Sequence, residues 1–523
     1  MSGVIAFFGF QLLATEIFPT ENGTQLQLRL RAPTGTRVER TRELTLKALD
    51  AIADVVGKDN VALTLGYAGT QPPSYPISAI YLWTSGPHES VLSVELKQTH
   101  GIKSGLLRER IRQRVKELLP NVTVSFEPGD IVSRVMNFGA LTPLEVVVSG
   151  PNFAETRRYA EKVLETVQRI GVLRDVQIAQ ALDYPTVEVK VDRERAGQMG
   201  VTVEQVGRSL VAATSSSRFI VPNYWRDPKS GVGYQVQVEV PQYMMQSVDD
   251  VKSVPATLGA AQHPLVGDVA RVEFGNMPGE YDRYNMQRMI TITANIANND
   301  LGKASAVVSQ ALKTLGTPPR GVAVNVRGQV EPLNQAMSGL SIGLVLAVLV
   351  IFIMLAGVFQ SVRLACVVVC AIPAVWCGAI LAMLVTGTSV NIQSFIGTIM
   401  ATGIGVANAI LLVAFAEKNR KRGKAAVDAA VDAGTGRLRP IMMTSLAMIA
   451  GMTPMAIGFG EGGEQTAPLG RAVIGGLLAS FPAVLFVLPA IFSLLQAKVN
   501  RQPASLIARL DQDELALAIG EAE

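Results

Sequence analysis

The sequence is poor in the residues that most often build catalytic and metal sites. Among its 523 residues it has three cysteines and three histidines. All three cysteines lie in the apolar segment 366–377, so a disulfide framework is excluded. The histidines, His88, His100 and His263, are too scattered for a zinc site or a catalytic triad. We therefore expect no enzymatic activity, no cofactor and no metal site.

A strong excess of charge is also absent. A formal net charge of +4 over this length gives no reason to expect a nucleic-acid partner. The charge is unevenly placed, because residues 20–331 hold most of it and residues 332–497 form a series of apolar runs. The chain is too long for a single core, so we expect at least one water-soluble domain and one membrane domain.

Five apolar runs approach or exceed the roughly 20 residues that a membrane-spanning helix needs. None of them contains Asp, Glu, Lys, Arg or His, whereas proton transport requires a titratable group inside the membrane. We therefore expect that the chain alone cannot carry protons through lipid. The runs cover 333–358, 364–386, 392–416, 441–459 and 472–496.

Basic residues predict the orientation of these runs. They lie at Arg363, in the connection 417–439 and in the tail that begins at Lys498, whereas the other two turns contain no Lys or Arg. The positive-inside rule places the basic side in the cytoplasm. Residues 20–331 are therefore predicted to lie outside the cytoplasm.

Two shorter segments are also predicted to lie at the membrane. Residues 4–18 are apolar apart from Gln11 and Glu16, but as a helix they would rise only about 22 Å against a hydrocarbon core of roughly 30 Å. We interpret them as the outer part of a spanning helix whose beginning is missing. Residues 424–433 are predicted to form a short amphipathic helix on the membrane surface, with a solvated linker as the alternative.

The water-soluble part contains a repeat. Its hydrophobic periodicities give the order βαββαβ, then begin the same order again and complete it only after an insertion, 193–284. The first copy has strands at 25–31, 61–67, 79–84 and 122–126 and helices at 37–56 and 104–119. The second copy has strands at 144–149, 186–191, 289–297 and 322–327 and helices at 153–170 and 301–315.

Short motifs resemble those of the resistance–nodulation–division (RND) transporters. The segment 405–413 (GVANAILLV) resembles the helix that faces the proton-carrying carboxylates of that family, and 437–445 (RLRPIMMTS) resembles the start of its next helix. In the water-soluble part, 191–201 (VDRERAGQMGV) is similar to the turn into the family's docking insertion. The exit from that insertion is similar to 267–270 (GDVA) and 283–285 (RYN).

The resemblance implies the C-terminal half of an RND permease of the hydrophobe/amphiphile efflux type. The implied fold is an α+β periplasmic porter domain of two ferredoxin-like units, one with an inserted docking subdomain, plus an α-helical transmembrane bundle. The implied domains are a truncated first transmembrane helix (1–19), a first porter subdomain (20–140), a second porter subdomain in two parts (141–192 and 285–331), the docking subdomain (193–284), a bundle of five helices (332–500) and a cytoplasmic tail (501–523).

The resemblance also implies a function and partners. Drug-like or amphiphilic molecules would leave through the porter cleft by proton antiport, driven by the proton motive force across the bacterial inner membrane. The expected partners are an N-terminal half that carries the proton-binding aspartates, two further copies in a homotrimer, a periplasmic adaptor and an outer-membrane channel.

Three residues correspond to the family's proton-relay support: Asn408, Arg437 and Thr444. The family's common multidrug members have a lysine directly before the asparagine, and this chain has Ala407, which changes the expected ion coupling. An interhelical hydrogen bond is the alternative role of Asn408, and Arg437 could instead serve to set the topology.

Four residues correspond to apolar positions of the substrate cleft: Leu26, Leu28, Tyr67 and Phe126. Packing in the core of the domain is the alternative role of each. The loop 69–76 lacks the paired phenylalanines of broad multidrug pumps, so multidrug breadth is not expected.

Two other functions remain open. A heavy-metal exporter of the same superfamily would need clustered methionines in the cleft, where only Met136 is expected. A protein-export or lipid-handling accessory would bind its client without pumping. Susceptibility of a deletion strain to drugs, to metal salts or to neither would distinguish the three functions.

Overall fold

The computed structural model describes residues 2–19, 24–70, 84–97, 104–129, 131–257, 264–297, 300–458 and 463–497. Its helices are α1 (Ser2–Leu12), α2 (Val38–Val56), α3 (Ser104–Leu118), α4 (Ile131–Met136), α5 (Phe153–Gln168), α6 (Arg193–Gln198), α7 (Val203–Thr214), α8 (Val248–Lys252), α9 (Val266–Val269), α10 (Leu301–Thr314), α11 (Val330–Phe359), α12 (Val362–Val369), α13 (Ile372–Thr386), α14 (Ile392–Lys421), α15 (Ala426–Ile457), α16 (Gly463–Pro482) and α17 (Leu488–Gln496). Its strands are β1 (Gln25–Arg31), β2 (Val61–Ala68), β3 (Glu89–Leu96), β4 (Thr123–Glu127), β5 (Leu144–Ser149), β6 (Leu173–Ile178), β7 (Tyr184–Val191), β8 (Asn223–Arg226), β9 (Gly233–Val236), β10 (Ala270–Met277), β11 (Asp282–Tyr284), β12 (Gln287–Ile296) and β13 (Ala323–Gly328).

The first unit is a four-stranded antiparallel sheet in the order β2-β3-β1-β4, with α2 and α3 packed on one face. Strand β1 alternates strictly between leucine and polar residues, so all its leucines point to one face. Leu26, Leu28 and Leu30 are buried against Ile52 of α2 and Ile111 of α3. Gln27, Arg29 and Arg31 therefore lie on the opposite face, which we call the open face because α2 and α3 leave it uncovered. Gln27 and Arg29 are nonetheless buried among their polar neighbours there.

The second unit repeats this arrangement. Its strands lie in the order β6-β12-β5-β13, and α5 and α10 pack on one face. The long strand β12 also pairs with β11 beyond the end of β6. At the boundary between the units, β4 and β6 lie side by side. Within the described residues, no backbone hydrogen bond joins these two strands.

Two predicted strands differ from the structure. The strand expected at 79–84 falls largely outside the described residues, and the strand that lies between β1 and β2 is β3, later in the chain. The assignment of 186–191 to the second unit is wrong, because β7 pairs with β10 over its whole length and β6 takes the predicted place.

The insertion forms a module with its own core. Strand β7 contributes Val189 and Val191 to that core, which also contains Val206 and Val269. From this module projects the hairpin β8–β9, with Trp225 and Tyr234 in contact at 6.0 Å between ring centroids. The hairpin residues are exposed, aromatic ones included.

The five predicted apolar runs are confirmed as helices long and apolar enough to cross a membrane: Val330–Phe359, Val362–Thr386, Ile392–Lys421, Ala426–Ile457 and Gly463–Gln496. The separate surface helix predicted at 424–433 is wrong, because residues 426–433 form the first turns of α15, which continues to Ile457. The helices also extend beyond the predicted runs and there carry charge. Glu417 and Arg420 form a buried pair at 2.8 Å near the end of α14, and Arg471 lies within α16.

The N-terminal segment does not remain helical to residue 18. Helix α1 ends at Leu12 and packs along α13. Residues 13–19 follow as an extended segment, which we call the strap, and Thr15 forms a parallel bridge with Val390 in the α13–α14 turn. The strap joins the bundle to the first unit.

Close helix contacts in the bundle depend on glycine. Gly378 of α13 faces Gly475 of α16, and a Cβ built on Gly475 would lie 2.5 Å from the carbonyl oxygen of Gly378 and would overlap the side chain of Ala382. Such small-residue contacts allow two backbones to approach where no hydrophobic effect drives association.

Candidate functional site

The structure brings two of the three predicted relay residues together. Asn408 of α14 is 6% exposed, and its Nδ2 donates a hydrogen bond to Ser445 Oγ of α15 at 3.4 Å. The Thr444 hydroxyl lies 3.5 Å from Asn408 Oδ1, and 3.1 Å from the carbonyl oxygens of both Pro440 and Ile441. A hydroxyl has one proton, so these three acceptors compete for it. Both hydrogen bonds of the Asn408 amide are thus long, and the Thr444 hydroxyl is shared between Asn408 and two backbone carbonyl oxygens.

Arg437 does not reach this pair in the structure. It precedes Thr444 by seven residues on α15, which is about two helical turns. Its guanidinium instead lies 5.1 Å from the ring centroid of Phe415, a cation–π contact. Among the described residues its buried Nε has no hydrogen-bond partner.

One face of α14 next to Asn408 is open. Met400, Gly403, Ala407, Leu411 and Ala414 follow the spacing of a single helical face, and all five are exposed. Ala407, the position at which the resemblance expects a lysine, lies on this open stripe. Sequence reasoning missed Ser445, although the residue directly follows Thr444 in the quoted motif.

A cavity of about 110 Å³ lies at the boundary between the two units. Phe126 and Met136 belong to its wall, together with apolar residues of the strap and charged residues of α3. The lining residues are Glu16, Ile17, Phe18, Thr24, Gln25, Gly105, Arg108, Glu109, Arg112, Phe126, Glu127, Pro128, Ser133, Met136, Pro143, Asn295, Ile296, Ala297, Leu301 and Gln329.

Three of the four predicted cleft residues do not line this cavity. Leu26 and Leu28 are 2% and 0% exposed and belong to the core beneath α2 and α3, so their assignment to the cleft is wrong. Tyr67 is half-buried on β2 and shares the open face of the sheet with Leu63 and Leu65. These exposed leucines were missed by sequence reasoning; their alternation along β2 carries the signal.

Arg112 and Asp175 fix the two units to each other beside the cavity. Arg112 of α3 donates two hydrogen bonds to the Asp175 carboxylate of β6, at 2.6 and 2.7 Å, and its guanidinium lies 5.0 Å from the centroid of the Phe126 ring. Asn295 of β12 donates to the same carboxylate and to the carbonyl oxygen of Phe126, both at 2.9 Å. The Asp175 carboxylate therefore accepts hydrogen bonds from side chains of both units.

Further charges are paired on the open face of the first sheet. Arg29 donates to Glu127 at 2.5 Å, and Arg31 donates to Glu89 at 2.6 Å. Burial alone would raise the pKa of Glu89, but Arg31, Arg29 and the N–H of Ser85 hold that pKa below its ordinary value. Arg31 also donates to the carbonyl oxygen of Ile178 at 2.7 Å, which is a second link to β6.

Comparisons with known proteins agree over nearly the whole chain. The model of the AcrB/AcrD/AcrF family matches residues 2–496. The cobalt-zinc-cadmium resistance protein CzcA of Cupriavidus metallidurans is 27% identical over an alignment of 524 positions, gaps included. The alignment covers 96% of this chain and 47% of that protein. The toluene efflux pump membrane transporter TtgB of Pseudomonas putida is 25% identical over 491 residues, which cover 92% and 45%.

A solved structure shares the fold. The X-ray structure of a heavy metal efflux pump superposes with a TM-score of 0.81 at 22% identity, over 95% of this chain and 50% of that one. The chain spans about half the length of the relatives that it matches.

Proposed function

Because the chain belongs to the AcrB/AcrD/AcrF family of RND efflux transporters, we propose that it acts as the C-terminal half of an inner-membrane permease that exports drug-like or amphiphilic molecules by proton antiport. The observation that carries this proposal is the contact of Asn408 with Thr444 and Ser445 within apolar stretches of α14 and α15, beside an open stripe of α14. A buried amide placed there can hydrogen-bond a titratable group that another half presents.

The family suggests the partners, and this arrangement supports some of them. An N-terminal half with proton-binding aspartates would cover the open stripe on α14. The strand order of both units supports two ferredoxin-like porter subdomains, and the basic loops between the spans support their periplasmic location. The exposed aromatic hairpin β8–β9 supports contacts between copies in a homotrimer. A periplasmic adaptor and an outer-membrane channel would complete the pump.

The cavity favours an amphiphilic substrate. Its wall combines apolar side chains, such as Phe18 and Ile296, with the charged groups Arg108, Glu109 and Glu127. A site of this composition can hold an apolar body and orient a polar head. Glu127 is already paired with Arg29, and Glu109 with Arg112, which leaves neither carboxylate free for a cation.

Heavy-metal export is the second candidate. It is favoured by the similarity to CzcA and by Met136, whose thioether is a soft ligand in the cavity wall. Met136→Leu preserves the volume of the side chain and removes that ligand, so it separates the two substrate classes.

The test is complementation of a deletion strain with this chain and its partner half. We expect restored resistance to amphiphilic drugs and detergents, and little effect of Met136→Leu. Restored resistance to zinc, cobalt or cadmium salts that Met136→Leu abolishes would establish the metal exporter instead. No change in either susceptibility would overturn both and favour an accessory that binds without pumping.

A further inference from the structure

The strap is held on two sides at the junction of the bundle and the two units. On one side Glu16 N–H donates to the carbonyl oxygen of Val390 at 3.0 Å, and Val390 N–H donates to that of Ala14 at 2.7 Å. On the other side Thr15 N–H donates to the Asp300 carboxylate at 3.2 Å, and Gly302 N–H donates to the Thr15 carbonyl at 3.2 Å. The strap thus couples the α13–α14 turn to the start of α10.

Glu16 occupies the wall between two cavities. Among the described residues, it lines both the 110 Å³ cavity between the units and a second cavity of about 520 Å³, which lies between the strap, the α13–α14 turn and the start of α16. Its carboxylate accepts a hydrogen bond from the Ser389 hydroxyl of that turn. Glu16 therefore borders both spaces.

The surroundings of this carboxyl favour its neutral form. Burial raises its pKa, the hydrogen bond from Ser389 lowers it, and the negative charge of Asp300 raises it further, with a net pKa of about 7. The other charged groups facing it lie across the two cavities. They are Arg108, Glu109, Arg112 and Glu127 on one side and Glu464 and Arg471 on the other.

We propose that Glu16 is a proton-binding site of this chain, which holds its proton while the strap stays paired with the α13–α14 turn and releases it when the strap separates. The neutral carboxyl accepts from Ser389 without leaving a charge in the wall. The ionised form leaves a negative charge beside Asp300, and hydration after separation of the strap relieves it. The site lies outside the spanning helices and goes beyond the relay of the proposed function.

Hydrogen exchange of the full-length chain in detergent tests this site directly. After correction for the intrinsic rates, we expect protection of the Glu16 and Val390 amides to fall by on the order of 100-fold between pH 5 and pH 8, the scale set by the displaced pKa. Glu16→Gln mimics the neutral form and should keep the protection at both pH values. Glu165→Gln, an exposed carboxylate on α5, is the matched control and should behave as the wild type.

A second variant shifts the midpoint without removing the carboxyl. Asp300→Asn keeps a side-chain oxygen that can cap α10 and removes the neighbouring negative charge. The loss of protection should then be smaller and complete at lower pH, because the pKa of Glu16 in the paired strap falls when its ionised form becomes easier to bury. Equal pH dependence in the wild type and in Glu16→Gln, or protection that does not vary with pH, would overturn the proposal.

Discussion

The guanidinium of Arg112 holds the carboxylate of Asp175 across the boundary of the two units. The Asp175 side chain is 4% exposed, and its backbone adopts a left-handed conformation with φ of 53°. This conformation directs the carboxylate out of β6 toward α3, so the strained backbone and the ion pair form one feature.

Removing the cation should be costly. Arg112→Ala leaves Asp175 buried with hydrogen bonds but no counter-charge, and breaking such a pair typically costs about 3–5 kcal/mol. We expect a marked fall in the thermal unfolding midpoint of the purified chain. Arg114→Ala on the same helix removes an exposed pair with Asp54 and should change the midpoint little, because water screens exposed ion pairs. Equal effects of the two variants would contradict a structural role for the Arg112–Asp175 pair.

Asn408 should matter for export more than for stability. Asn408→Leu keeps a side chain of similar size and removes the amide, so a residue of the proton relay would lose export by at least about tenfold at normal expression. An interhelical hydrogen bond alone is worth about 0.6 kcal/mol, and its loss would leave export nearly intact. Thr453→Val is the control, because among the described residues Thr453 bonds only to the carbonyl oxygen of Ile449 in its own helix. Export assays with the partner half, normalised to membrane protein, distinguish these outcomes.

The stability of the sheet region should decrease as pH rises toward 7 because of Glu145. Burial raises the pKa of Glu145 to about 7, although the backbone N–H groups of Leu141 and Thr142 and the charge of Arg327 act in the opposite direction. The folded state therefore prefers the neutral carboxyl. Its stabilising contribution is complete below the unfolded pKa of 4.5 and is lost as pH rises through about 7, by up to ~3 kcal/mol.

Glu145→Gln should flatten this pH dependence. The measurement is the unfolding midpoint of the chain between pH 4.5 and 8. Glu16 titrates in the same range, so the comparison is best made in a Glu16→Gln background. An unchanged slope after the substitution of Glu145 would show that its carboxyl is solvated in solution.

The contact between α13 and α16 predicts a strong effect of one added methyl group. Gly475→Ala would place its Cβ against Ala382 and the backbone of Gly378, which cannot move aside without separating the helices. We expect misassembly or a large loss of thermal stability. Gly451→Ala on α15, where a Cβ meets nothing within 4 Å, should be neutral or slightly stabilising. Tolerance of both substitutions would mean that the two backbones are not in close contact.

The spans and most strands of the units follow from periodicity, but strand pairing does not. Val187, Val189 and Val191 alternate perfectly and predict a strand, yet nothing in that pattern shows that its partner is β10. Strand β6, which completes the sheet of the second unit, was missed in the sequence. Asp175 interrupts the alternation of its side chains, because its backbone is left-handed and the register against β12 shifts there. An alternating pattern indicates the conformation of its own segment only. The irregularity at Asp175 is stabilised by Arg112 of the other unit, which the pattern of β6 does not show.

The sequence motifs predicted which helices carry the candidate relay residues, but not which side chains would meet. Asn408 and Thr444 meet because the two helices that carry them are adjacent, whereas Arg437 lies about two turns away and contacts Phe415. Leu26 and Leu28 were assigned to the cleft by resemblance, whereas the structure places both in the core beneath α2 and α3, which was the alternative role. The helix through Pro440 was also missed; the proline removes one backbone donor, and neighbouring helices stabilise the remaining turns.

The absence of a ladder between β4 and β6 has a mechanical consequence. A sheet that continued across the boundary would have to shear many backbone bonds in order to bend there. Among the described residues, side-chain hydrogen bonds such as those of Arg112 to Asp175 and of Arg31 to Ile178 join the two sheets. The sheets can therefore pivot about that line, and each stays intact while the cavity between them widens or narrows. The freedom of such a hinge is then limited by a small number of ionic contacts, and single substitutions at those contacts would loosen it.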